Sequence, residues 1–119
     1  MKLPGPDHPI TITANRKRLR VLADGVVIAD TTHALTLKEA KYPAVQYVPR
    51  QDAKMELLKR TDRVTHCPYK GDANYFSILA NGKTLENATW TYEAPFPAMA
   101  EISGHLAFYP DRVKIEEVA

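Results

Sequence analysis

The sequence predicts an all-β domain, and three observations carry that prediction. Short runs in which apolar and polar residues alternate recur along the chain, the period of a strand with one buried face. Two of these runs are interrupted by Asp24-Gly25 and Asn81-Gly82, dipeptides that tolerate the positive φ of a two-residue hairpin turn. Proline and glycine punctuate the intervals between runs and leave room for only one or two short helical turns.

Taken in order, residues 1–9 carry Pro4, Gly5, Pro6 and Pro9 and read as an extended arm, with residues 10–119 as a single β domain. Alternation begins at Ile10 and continues through Leu19, Val21 and Ala23, which share one face, while Arg16, Arg18 and Arg20 share the other. Asp24-Gly25 turns this half-buried strand into VVIAD. A third strand follows in THALTLKEA, where Leu35 and Leu37 are in register. YPAVQYVP, flanked by prolines, suits an edge of the sheet. In RQDAKMELLKR a single turn over 50–53 gives way to a strand in which Met55 and Leu57 alternate. The 84–92 run forms the second half of a hairpin around Asn81-Gly82, with Ala88, Trp90 and Tyr92 on the buried face and Asn87, Thr89 and Thr91 opposite. LAFY and VKIEEV close the chain as short strands.

Composition bounds what such a domain does. One cysteine forms no internal disulfide and no paired-cysteine zinc site, and the start of the chain lacks the apolar run of a secretory signal, so a reducing cytoplasm is expected. No stretch approaches the length needed to span a bilayer. A net charge of +2 is too small for the broad positive field of nonspecific nucleic-acid binding, and the RKRLR run is explained by alternation as a solvent face. The four histidines show no ligand spacing, and no metal or cofactor is expected. Phosphate-cradling glycine motifs, HExxH and GxSxG are all absent.

Four motifs follow one another in a specific order: KEAKYPAVQYVPRQD, THCPYKGDANYFS, NATWTYEAPFPA and ISGHLAFYPDRV. With the GPDHPITI arm before them, they resemble the bacterial domain of unknown function 427 family over nearly the whole chain. The resemblance implies a compact fold of two antiparallel sheets leaning together like a tent, and no established activity. Some classifications label that family nucleotidyltransferase-like, yet the chain has no Gly-Ser turn followed by a DxD pair.

The candidate site centres on the CPYKG turn. Cys67 is either a nucleophile activated by Lys70 or a buried cysteine that ends a strand. His66, on the opposite strand face, is poorly placed as its base. Lys70 before Gly71 presents a cation to an anionic ligand, or simply solvates a turn. Glu39 and Asp52 flank the Tyr-Pro block, and Lys70 is expected within ion-pair reach of Glu39 or Asp52, with Cys67 closer to the core. Tyr47, Tyr69 and Tyr75 supply aromatic walls. The leading reading is a domain that binds a polar or anionic small molecule or peptide through Glu39, Tyr47, Asp52, Tyr69, Lys70 and Tyr75. The alternatives are an enzyme that uses Cys67 or Lys70, and a structural interaction domain without a ligand.

Overall fold

The structure, a computed structural model, describes residues 1–118. Its strands are β1 (Ile10–Asn15), β2 (Arg18–Ala23), β3 (Val26–Thr31), β4 (Ala34–Glu39), β5 (Val45–Tyr47), β6 (Leu58–Cys67), β7 (Gly71–Ala80), β8 (Lys83–Thr91), β9 (Leu106–Phe108) and β10 (Lys114–Val118). They form antiparallel sheets in the orders β1-β4-β5, β10-β2-β3 and β6-β7-β8-β9. The all-β class is therefore borne out, with three sheets where the resemblance implies two. Among the described residues, helical structure is confined to 3-10 turns at Arg50–Asp52, Met55–Leu57 and Pro97–Ile102.

Both hairpin turns form as expected, because Asp24 and Gly25 have φ of 49° and 79° and Asn81 and Gly82 have 51° and 72°. Positive φ at both central positions matches the twist of the strands they join. Elsewhere the alternation misleads. The run from Ile10 to Ala23 is two strands in different sheets, because the Asn15 side-chain oxygen accepts a hydrogen bond from the Lys17 backbone N–H and turns the chain. Met55 and Leu57 lie in a 3-10 turn, where the Leu57 N–H bonds the Lys54 carbonyl, and the strand starts only at Leu58. Tyr75 lies well inside β7, which begins at Gly71. Residues 1–9 are not uniformly extended, since Gly5 and His8 exchange backbone hydrogen bonds around Pro6-Asp7.

Two apolar clusters stand on either side of the four-stranded sheet. Leu19, Val21 and Ile28 meet Phe76, Ile78 and Leu106 in one, and Leu37 and Tyr47 meet Tyr75, Tyr92 and Ala107 in the other. Neighbours such as Tyr75 and Phe76, or Leu106 and Ala107, go to opposite clusters, as period-two geometry requires. Where β7 and β8 run side by side the sheet is buried on both faces, while β6 keeps an exposed side. Thr89 and Thr91, expected opposite the buried face, are accordingly 0% exposed, whereas Trp90, expected in the core, is only half-buried.

Val48 and Leu106 exchange both backbone hydrogen bonds at 2.8 Å, which joins the β5 edge of one sheet to the β9 edge of another. The tent-like space lies between the walls that meet near this seam. Within the body of the core, the hydroxyls of Thr89 and Thr91 are buried without a hydrogen-bond partner. Each costs desolvation that an isosteric methyl would not. Thr91→Val is therefore expected to raise stability by about 1 kcal/mol in urea unfolding, and a clear loss of stability would show that its hydroxyl has a partner.

Candidate functional site

A cavity of about 220 Å³ opens between the β4-β5 wall and the β7-β8 wall. Period-two geometry carries the line of Leu37 on to Glu39, so an acidic side chain follows an apolar one into the same space. Val45 and Tyr47 extend that wall; Tyr75, Trp90, Tyr92 and Tyr109 form the other, and Tyr42 stands at the rim, largely exposed.

Lys70 reaches this space from the β6-β7 turn. Pro68 follows the last residue of β6, Cys67 pairs with Gly71 across the turn, and Gly71 holds a φ of 110°. A Cβ there would meet Phe96 N and Pro95 Cα at 3.6 Å, an ordinary contact, so the backbone angle rather than space demands glycine. The Lys70 carbonyl accepts a hydrogen bond from the Phe96 N–H, fixing the turn against the 94–97 segment.

The side chain of Lys70 is only 9% exposed, and its ammonium donates to Glu39 Oε1 at 2.5 Å. The other Glu39 oxygen lies 2.8 Å from His8 Nε2, and Cys67 Sγ lies 3.7 Å from Lys70 Nζ. His8 comes from the N-terminal segment and stacks on Tyr69, with ring centroids 4.0 Å apart and planes 5° from parallel. The Lys2 N–H bonds the Pro68 carbonyl and the Ala40 N–H bonds the Pro9 carbonyl, so the arm is docked on the turn it serves. Burial pushes the Glu39 carboxyl up, but hydrogen bonds from Lys70 and His8, with their charges, outweigh it and hold the group below its ordinary value.

The aromatic end is a network of hydroxyls. Trp90 donates its indole N–H to Tyr47 Oη at 3.3 Å, and Tyr75 Oη lies 2.9 Å from Thr65 Oγ1 and 3.4 Å from Tyr109 Oη. Burial pushes the Tyr47 and Tyr92 phenols well up, and takes Tyr109, bonded to Tyr75, to about 12. For Tyr75 burial acts in the same direction, but the bonds to Thr65 and Tyr109 and the nearby Arg63 hold it below its ordinary value. The Arg63 guanidinium carbon lies 5.0 Å from the Tyr75 ring centroid.

The structure thus gathers Glu39, Tyr47, Lys70 and Tyr75 around one cavity, with half-buried Cys67 beside Lys70. Tyr69 is outside the lining and instead stacks on His8. Asp52 is elsewhere: after Pro49 the 3-10 turn carries it to β3, where its carboxylate accepts from Thr31 Oγ1 at 2.8 Å and makes no cap to its own turn. His66 pairs with Asp72 at 2.7 Å on an exposed face, away from Cys67. Sequence reasoning missed His8, although GPDHPITI contains it, because no spacing rule ties residue 8 to residue 39.

These features define a small all-β domain with an aromatic groove that ends in a buried ion pair. The chain belongs to the family described as Domain of unknown function (DUF427), whose family model matches residues 11–119. No curated protein matches it. Among the described residues, no helix is long and apolar enough to cross a membrane.

Because the Glu39 carboxyl is held below its ordinary value in the fold, it contributes stability that is complete above the ordinary carboxylate range and is lost as pH falls through its lowered value. Glu39→Gln removes that contribution and leaves a buried ammonium without its carboxylate, at a cost on the order of 3 kcal/mol at neutral pH. Urea unfolding across the acid range is expected to show a weaker pH dependence in the variant; an unchanged dependence would exclude Glu39 as its source.

Proposed function

We propose that this domain binds one small organic anion in the groove, its acidic group against Lys70 and the tyrosine hydroxyls and its flat apolar body along Trp90. The supporting observation is an excess of donors. Both Glu39 oxygens are already engaged, by Lys70 and His8. Tyr47 accepts from Trp90 and keeps its own O–H to donate, and the raised Tyr47, Tyr92 and Tyr109 phenols stay protonated at neutral pH. Such a lining is best complemented by an acceptor-rich ligand, and a carboxylate is the simplest. A volume of about 220 Å³ lies below the range of drug-sized pockets, which favours a small acid over a peptide or a nucleotide. The free thiol fits a reducing compartment, and we place this activity in the cytoplasm.

Trp90 is the single tryptophan of the chain, so its indole N–H resonance reports on the groove directly. Titration with phenylacetate is expected to move that resonance saturably. Phenylacetamide should bind at least about tenfold more weakly, the loss of one charge-assisted hydrogen bond, and Lys70→Met should abolish the preference for the acid. An equal response to both would overturn the preference for an acid, and an indole resonance unmoved by either compound would overturn the proposal and favour a structural interaction domain.

The contact between Lys70 Nζ and Cys67 Sγ favours a second reading, in which an ammonium stabilises a thiolate nucleophile. The rate of Cys67 alkylation against pH separates the two. A thiol enzyme requires rapid alkylation at neutral pH that slows in Lys70→Met, whereas under the binding reading Cys67→Ala retains the phenylacetate response.

A further inference from the structure

A second concave surface shares no lining residue with the groove. It is a cleft of about 590 Å³ between the turn at Arg50–Asp52 and the loop 103–105, lined by His33, Pro49, Arg50, Glu93, Gly104 and His105 among others. Its one carboxylate is already matched. Arg60 grips Glu93 with both terminal nitrogens, at 2.7 Å to Oε1 and 3.2 Å to Oε2. Hydrogen bonding to Arg60, against a smaller effect of burial and with lesser help from the Arg60 charge and from Arg50, holds the Glu93 carboxyl below its ordinary value, so it stays ionised.

Arg50 is left over. Both its terminal nitrogens reach only Glu93 Oε2, each at 3.4 Å, well beyond the 2.7–2.9 Å typical of charge-assisted bonds. Its Nε is buried with no hydrogen-bond partner. Its guanidinium carbon nevertheless lies 5.6 Å from the Phe76 ring centroid, close enough for the aromatic face to hold the cation in place. The cleft therefore carries one guanidinium more than its carboxylates require, already positioned, with 37% of its side chain exposed.

Two imidazoles stand beside it. His105 donates its Nδ1–H to the Ser103 carbonyl at 3.0 Å, which leaves Nε2 as the nitrogen offered to a ligand. His33 is exposed, with Nδ1 3.3 Å from Thr32 Oγ1. A planar guanidinium fork and imidazole nitrogens that share a proton with an acidic hydroxyl form a suitable set for a tetrahedral oxyanion.

We infer that this cleft is a second ligand site, and that it takes a phosphoryl group carried by a small molecule or as free phosphate. Arg50 supplies the fork, and His105 and His33 meet the remaining oxygens. The 590 Å³ of the cleft exceeds what the phosphoryl group alone occupies, which favours a phosphate monoester.

The test is a titration of the full chain with inorganic phosphate and, in parallel, with glycerol 3-phosphate, followed by the imidazole resonances of His33 and His105 and the Nε–H resonance of Arg50. Saturable shifts confined to these residues are expected. Tighter binding of the ester assigns the site to a phosphorylated small molecule, and equal binding assigns it to free phosphate. Arg50→Leu should lose the response, Arg50→Lys should weaken it about tenfold by removing the fork while keeping the charge, and Lys70→Met should leave it intact. Absence of saturable shifts with both compounds, or a response that survives in Arg50→Lys at full strength, would overturn the assignment. Because Lys70 lines the groove and not the cleft, and Arg50 lines the cleft and not the groove, failure of this site and failure of the groove are distinguishable.

Discussion

The ion pair between Glu39 and Lys70 is the interaction on which the groove depends. Glu39 ends β4 of one sheet, and Lys70 ends the turn that feeds β7 of another. Val48 and Leu106 join these sheets along their edges, and the aromatic cavity occupies the space between them. The pair ties the walls together at the polar end of that space. A pair this buried gains little net stability, because removing both charges from water offsets much of their attraction. Its value lies in registration, since a displaced β6-β7 turn would leave both charges buried without partners.

The same pair recruits its surroundings. His8 takes the second Glu39 oxygen and stacks on Tyr69, so the N-terminal arm and the turn hold one another through a single carboxylate. Gly71 and the bond from Phe96 to the Lys70 carbonyl fix the backbone from which the ammonium projects. Groove and cleft are also linked by the chain itself. Tyr92 lines the groove while the adjacent Glu93 lines the cleft, and Tyr47 and Arg50 stand in the same relation across Val48 and Pro49.

Much of this was legible in the sequence, and the limits of that legibility have physical causes. Asp24-Gly25 and Asn81-Gly82 specified their hairpins because positive φ at both positions is a local demand. Alternation tells which side of a strand is buried but not which sheet the strand joins, so the break at Arg16-Lys17 and the division into three sheets were hidden. Thr89 and Thr91 look like a solvent face, and only a sheet covered on both sides buries them. At the site, Glu39 and Lys70 were found together because the family resemblance links their two motifs, while the turn expected over 50–53 forms but does not tell which strand the Asp52 carboxylate meets. His8 and the Arg50 cleft depend on tertiary proximity alone, which no local pattern encodes.

A double-mutant cycle on Glu39→Gln and Lys70→Met tests the central interaction most directly, with urea unfolding at neutral pH as the measurement. If the pair registers the two walls, each single change leaves the other charge buried, and the double variant is less destabilised than the sum of the singles by roughly 1–3 kcal/mol. Additivity within about 0.5 kcal/mol would show that the two side chains do not depend on one another, and would contradict the account.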